Sequence, residues 1–212
     1  MENLLKDEET DSPLGVQERL LAAGAAEFVR HGFQGGSISA IVKEADCNVR
    51  MVYHYFGNKL GLYRACIERV YAHLRDAEAN AGFWMAPPAE AISELVRFTF
   101  EYMLDHPEFQ GLMRIENMTE GMHVREVNSV SDRAARLFQK INTVLDQGVS
   151  DGSFRHRPDA GALYLSILGL CTIHITNRHT MSVVMGLDLA APDFLDGRRE
   201  DVVRIILASL RQ

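Results

Sequence analysis

The sequence predicts an all-α fold: an N-terminal three-helix helix-turn-helix domain followed by a larger helical domain. Three observations carry this. Apolar residues recur every three to four positions along most of the chain, as on one face of a helix. No strand-like alternation or hairpin turn signal of any length interrupts them. Residues 37–63, SISAIVKEADCNVRMVYHYFGNKLGLY, compress a short polar-capped helix, a turn and a very short second helix into one stretch.

The elements follow in order. Residues 1–13 are acidic and read as a flexible solvated arm, with Ser12-Pro13 placed to cap the first helix. That helix runs to about His31. Leu21, Ala25, Phe28 and Gly32 form one stripe, Gly32 supplies a left-handed stop, and Phe33 folds back onto the end. Ser37 caps a second helix from Ile38 to about Ala45, with Ile38, Ile41, Val42 and Ala45 on its apolar side. Asp46-Cys47-Asn48 makes the turn, and Asn48 caps helix three. There Val49, Val52 and Phe56 share one side, while Arg50 and His54 share the other. A helix of about two turns is unstable alone. Its apolar side must be held by neighbours, which leaves its outer side to be presented. Gly57-Asn58 ends it, and helix four runs from Lys59 to about Asn80, burying Leu62, Ile67, Val70, Tyr71 and Leu74.

The segment Gly82–Pro88 breaks the pattern and marks a join. Later helices are expected over 88–105, 107–118, 124–150, 158–186 and 197–211, punctuated by Pro107, Gly121, Gly152, Pro158 and Pro192. This gives an arm over 1–13, a helix-turn-helix domain over 14–60 and a helical domain over 61–212, with helix 59–80 connecting them.

Composition narrows the function classes. A hydrophobic share of 47% and a charged share of 24% are those of an ordinary globular protein. Cys47, Cys66 and Cys171 are scattered and odd in number, which supports neither a disulfide framework nor a zinc finger. A reducing cytoplasmic setting is expected, with no signal peptide, no membrane span and no cofactor. The net charge of −7 argues against a general nucleic-acid coating protein. Within residues 14–60, Arg19, Arg30, Lys43, Arg50 and Lys59 barely exceed Glu18, Glu27, Glu44 and Asp46. Any DNA affinity must then come from geometry and helix N-termini as much as from net charge.

The run Arg19-LLAAGAAE-Phe28, then Gly32-Phe33, Ser37, Ile41, Ala45, Tyr53-x-Tyr55-Phe56-x-x-Lys59 and Leu62-Tyr63 resembles the TetR family of transcriptional regulators. Three places depart from the family pattern. Ile41-Val42 stands for Ile-Ala, Ala45-Asp46-Cys47-Asn48 for Ala-Gly-Val-Ser, and Lys59-Leu60 for Lys-Glu. Asp46 in place of glycine is tolerable, because Asp accepts a left-handed backbone better than most residues. The stretches HPEFQGLMRIEN, SDGSFR and Gly169–Leu189 resemble one C-terminal subgroup of the same family.

The resemblance implies a DNA-binding regulator, by default a repressor, that binds double-stranded operator DNA as a homodimer and answers to a small-molecule effector. Arg50 is the candidate for a base edge, because its planar fork grips guanine. Tyr53, His54 and Lys59 match positions that mostly touch phosphates. Ser37 and Ser39 begin helix two, where N–H groups and a hydroxyl hold a phosphate, and Asn48, Val49 and Met51 complete the set. Leu163–Ile175 and Val202–Leu210 are apolar on more than one side, and the resemblance makes their helices the dimer surface. Arg114, Glu116, Asn117, His174, Asn177 and Arg178 are the candidate polar anchors of an effector pocket.

The alternative is a helical-bundle metal protein or enzyme. Glu120-Gly121-Met122-His123 has the Glu-x-x-His spacing of di-iron bundles, but that chemistry needs a second copy and further carboxylates, and the sequence has no second copy. A Gly-rich phosphate loop and a nucleophile elbow are also missing. A protein-interaction module is separated from a DNA reader by the salt dependence of binding.

Overall fold

A computed structural model of the chain describes residues 15–211, so the expected arm and the Ser12-Pro13 cap lie outside the described residues. Among these, all regular structure is helical. No single described helix is long and apolar enough to cross a membrane. The chain forms two compact units. The first holds the described residues up to Ala72 together with Gly111–Val130; the second holds His73–Gln110 and the residues from Ser131 onward.

In the first unit, α1 (Val16–Gly35) buries Leu20, Leu21, Ala25 and Phe28. Gly15 precedes it without a side-chain cap. Its last turn breaks at Gly32, where φ is +69°, a value glycine adopts without a Cβ penalty. Phe33 then folds back, its ring 5.0 Å from Tyr63. Helix α2 (Ile38–Glu44) starts where Ser37 Oγ accepts from the Ala40 N–H, and α3 (Val49–Phe56) where Asn48 Oδ1 accepts from the Arg50 N–H. Between them Asp46 takes φ +47°, the left-handed turn expected there. Ile41 and Val52 are fully buried, so the two short helices are pinned by tertiary packing rather than by propensity.

Helix α4 (Lys59–Asn80) begins in the first unit and ends in the second. Its start buries Leu62, Tyr63, Cys66 and Ile67 in the first unit. Helix α6 (Pro107–Met118), from Gly111 on, and the 3-10 turn Val124–Glu126 complete that unit. Gly111 packs where a Cβ would lie 2.6 Å from Val29.

The second unit is a bundle of α5 (Pro88–Asp105), α7 (Asn128–Ser150), α8 (Ala160–Thr176), α9 (Arg178–Met185) and α10 (Pro192–Arg211), with the 3-10 turn Gly82–Met85 before α5. Its core joins Ile92, Leu95 and Phe100 to Ile141 and Leu145, Leu163 and Ile167, and Val202, Ile206 and Leu210. Burying each such side chain contributes roughly 1.5–3 kcal/mol. Within it α4 contributes a buried polar network. Arg75 Nη1 donates to Glu78 Oε2 at 2.6 Å, and Tyr164 Oη donates to Glu78 Oε1 at 2.7 Å while accepting from Arg75 Nη2 at 2.9 Å. Burial raises the Glu78 pKa, and Arg75 and Tyr164 offset part of that rise.

Three expected helices differ. The helix expected over 158–186 is two, α8 and α9, bent by 76° at Asn177. No Gly or Pro stands at the break, which falls at the weak helix formers Thr176-Asn177 where the apolar run ends, and α9 beyond it buries no residue. The helix expected from 124 starts at Asn128. The His123 and Val124 amides are drawn onto the Glu116 carboxylate, which holds that stretch as a turn. The helix expected from 197 begins at Pro192, whose missing N–H costs nothing in a first turn.

Candidate functional site

The outer face of α3 is exposed along its length. Arg50, Tyr53, His54 and Tyr55 all face solvent, with Tyr53 58% exposed, while Val52 between them is fully buried. Val49, expected on the apolar side, is instead exposed at the head of the helix beside Asn48, because the buried contact is made by Val52 alone. Met51 is half-buried at the flank. Ser37 and Ser39 are exposed at the start of α2. The Ser37 backbone N–H is held by Glu27 Oε1 at 2.9 Å, and its hydroxyl oxygen is engaged in the cap. Ser39 therefore presents the uncommitted hydroxyl of the pair.

Lys59 is tethered. Its ammonium donates to the Gln34 carbonyl at 3.0 Å and lies 5.2 Å from the centre of the Phe33 ring. That uses one of three N–H donors, which leaves two for a phosphate from a fixed position.

Gly61 is a residue the periodicity did not single out. A Cβ there would lie 1.9 Å from the Phe56 carbonyl oxygen, so only glycine lets the first turn of α4 approach the end of α3 this closely. Asn58 Oδ1 accepts from the Gly61 N–H at 2.9 Å and fixes the joint. Its sequence signal is slight: a glycine inside an otherwise helical run.

The six residues expected to anchor an effector do not share one site. Glu116 is in the first unit, where its carboxylate accepts four hydrogen bonds: from Tyr63 Oη at 2.9 Å, the His123 ring Nδ1 at 2.9 Å, the His123 N–H at 3.0 Å and the Val124 N–H at 2.8 Å. Burial alone would raise its pKa, but these donors outweigh burial and hold the carboxyl below its usual range. Tyr63, buried and bonded to that carboxylate, is pushed well above the ordinary tyrosine value. The Tyr63 and His123 rings that bond the carboxylate are packed in turn by Phe28, 5.0 Å from Tyr63, and Phe33, 4.9 Å from His123. Glu116 is therefore a structural tie rather than a pocket anchor. Arg114 and Asn117 are exposed, and the Asn117 amide bonds back to the Met113 carbonyl. Asn177 and Arg178 sit exposed at the α8–α9 break. Glu120 is exposed at φ +56° while His123 is buried against Phe33, so the Glu-x-x-His pair does not converge.

His174 alone of the six faces a cavity. Its ring is buried in the second unit, stacked 4.7 Å from Phe100, beside a cavity of about 530 Å³ between α8, α9 and α10. Burial, and then the charge of Arg198, lower its pKa to about 4. Neither buried cysteine carries an activated thiolate: burial pushes both Cys66 and Cys171 up to about 12.

The chain matches known proteins over both units. Residues 20–66 match the bacterial regulatory proteins of the tetR family, and residues 88–206 match the tetracyclin repressor-like C-terminal domain. The chain is 34% identical over 175 residues to the HTH-type transcriptional repressor NicS of Pseudomonas putida, covering 82% of each protein. It is 28% identical over 134 residues to the HTH-type transcriptional repressor SCO4008 of Streptomyces coelicolor, covering 63% of this chain and 65% of that one. Its fold is similar to that of the putative transcriptional regulator SCO4942 from Streptomyces coelicolor, with a TM-score of 0.70 at 20% identity over 92% of this chain and 98% of that one.

Proposed function

The chain belongs to the tetR family of bacterial regulatory proteins, and from that premise we propose that it is a cytoplasmic homodimeric repressor released from operator DNA by a small-molecule effector. As a family member it is a DNA-binding transcriptional regulator. The observation that carries the rest is the outer face of α3, with Arg50, Tyr53 and His54 exposed on a helix locked from behind by Val52. Arg50 reads a base edge, and Tyr53, His54 and Lys59 hold phosphates together with the start of α2 at Ser37 and Ser39. Asn48, Val49 and Met51 stand at the groove edge.

The relatives named as repressors favour repression over activation. Exposed apolar groups on α8 and α10 favour pairing of two copies: Leu165 is 71% exposed, and Ile173 and Ile205 are exposed as well. A twofold pair places its two α3 helices on half-sites about 34–36 Å apart. Helix α4 is the element through which an effector acts, because one end packs with α1 and the other carries the Arg75–Glu78–Tyr164 network. A coupling of about 1–3 kcal/mol through that helix releases DNA several- to a hundredfold.

The test is duplex selection from a random library, followed by binding titrations of the selected sequence across a salt series. Lys59→Ala weakens binding on all sequences alike and lowers the salt slope by about one. Arg50→Ala relaxes the preference at one base pair, at a cost of about 1–3 kcal/mol. Binding by both variants with wild-type affinity and sequence preference contradicts the assignment.

A further inference from the structure

His174 is 4% exposed, and neither ring nitrogen has a hydrogen-bond partner in the protein. A neutral imidazole carries one N–H donor and one acceptor nitrogen. Leaving a buried polar atom unmatched costs free energy, and native interiors rarely keep such an atom without a purpose. Here both atoms of one ring are unmatched, and the ring lines a cavity of about 530 Å³. That volume falls within the range of small-molecule sites.

The rest of the lining narrows the chemistry. Ile173, Met181, Met185, Leu189 and Phe194 make most of it apolar. Methionine side chains adapt to shape, and their sulfurs favour aromatic edges. The charged groups at the cavity are Asp193 and Asp201 against Arg198, an excess of one carboxylate that disfavours an anion. Arg198 is partly committed as well, since its Nη2 donates to the Leu170 carbonyl at 3.1 Å. Phe100 covers one face of the imidazole, and Phe194 lies 6.2 Å from the ring.

We propose that this cavity binds an uncharged aromatic molecule bearing one N–H or O–H group, with His174 as its hydrogen-bonding anchor once the imidazole turns over about Cβ–Cγ, a motion that keeps the stack on Phe100 and brings out a ring nitrogen now covered by protein. Its role as the effector site rests on the reading of the chain as an effector-released repressor; the binding chemistry does not. The cavity lies wholly between the end of α8, α9 and the start of α10, so the bend at Asn177 is what forms it: α9 turns back to supply Met181 and Met185.

The test uses the full-length chain with indole and phenol as uncharged probes and benzoate as the anionic counterpart, followed by calorimetry and saturation-transfer NMR. Two variants report on the site. His174→Phe keeps the stack on Phe100 and removes both ring nitrogens. Gly197→Leu projects a side chain into the cavity from α10, where a Cβ meets nothing within 4 Å, so it fills the space without disturbing the core. Indole or phenol binds the wild type, at least tenfold more weakly to His174→Phe and not measurably to Gly197→Leu, and benzoate binds at least tenfold more weakly than either. Equal binding to wild type and Gly197→Leu, tighter binding of benzoate, or no binding of either uncharged probe overturns the proposal. Operator affinity of the probe-free wild type is measured in parallel. Its loss counts against the regulator reading alone, whereas probe binding reports on the cavity alone.

Discussion

Glu116→Gln keeps the shape of a buried side chain and removes its charge. The carboxylate accepts from Tyr63 Oη and His123 Nδ1 on one oxygen and from the His123 and Val124 N–H groups on the other. A glutamine retains one oxygen and sets an NH2 group against two donors. With its oxygen kept for the two backbone N–H groups, the Tyr63 hydroxyl and the His123 Nδ1–H lose their acceptor, at about 1–2 kcal/mol each because both atoms can accept from the NH2 group instead, so the expected loss is about 2–4 kcal/mol. For a chain of this size that lowers Tm by roughly 5–15 °C. Tyr63→Phe removes one donor and leaves Glu116 three others, so it costs less, about 1–2 kcal/mol. In the Glu116→Gln background the same change costs about 1 kcal/mol less, because the partner is already lost. Urea titrations of the wild type, both single variants and the double variant give the cycle. The sign of the acid dependence is a second readout. The Glu116 pKa is depressed in the fold, so its contribution is present at neutral pH and is lost as pH falls through that depressed value. A Glu116→Gln variant within 0.5 kcal/mol of wild type, or strictly additive changes, refutes the four-bond account.

Other outcomes follow from the geometry. Gly61→Ala drives a Cβ into the Phe56 carbonyl, so the end of α3 shifts, and operator affinity falls at least tenfold while circular dichroism stays helical; wild-type affinity contradicts this. The His174 pKa falls from 6.5 to about 4 on folding, so between those values the unfolded chain binds the proton and stability declines as pH falls. The decline is no more than about 3 kcal/mol, and His174→Phe lacks it in denaturation series from pH 7 to 4. Gly148→Ala sets a Cβ 2.1 Å from the Phe154 ring, and thermal unfolding registers a loss of about 1–3 kcal/mol, with no change if the ring can move aside.

What could be read from the sequence was what local chemistry decides. Ser37 and Asn48 cap α2 and α3 as expected, Gly32 breaks α1, and Asp46 takes the left-handed turn, because each needs only its neighbours. The outward face of α3 was legible for the same reason, since a 3.6-residue period opposes Arg50 to Val52. The break at Asn177 was not, because no Gly or Pro marks it and Thr176-Asn177 are only weak helix formers. Glu116 misled for another reason. As a polar group beside Arg114 and Asn117 on an amphipathic helix it looked like an anchor, and one of its partners, Tyr63, lies 53 residues away. His174 was visible as a polar residue on an apolar helix, but the cavity beside it is made by a turn the pattern did not carry.

The tie between Tyr63 and Glu116 bears on how such chains can be recombined. Tyr63 lies in the stretch matching the N-terminal regulatory domain, and Glu116 in the stretch matching the C-terminal one. A hybrid that grafts a foreign sensing half after residue 66 keeps Tyr63 and the Phe28 and Phe33 rings packed on it but discards the carboxylate that Tyr63 bonds. Residues 111–130 belong, by packing, with the half they would be cut from. A functional graft must carry the native 111–130 stretch along with residues 15–72, or import a glutamate and histidine at the matching positions, for the reading helix to keep its support.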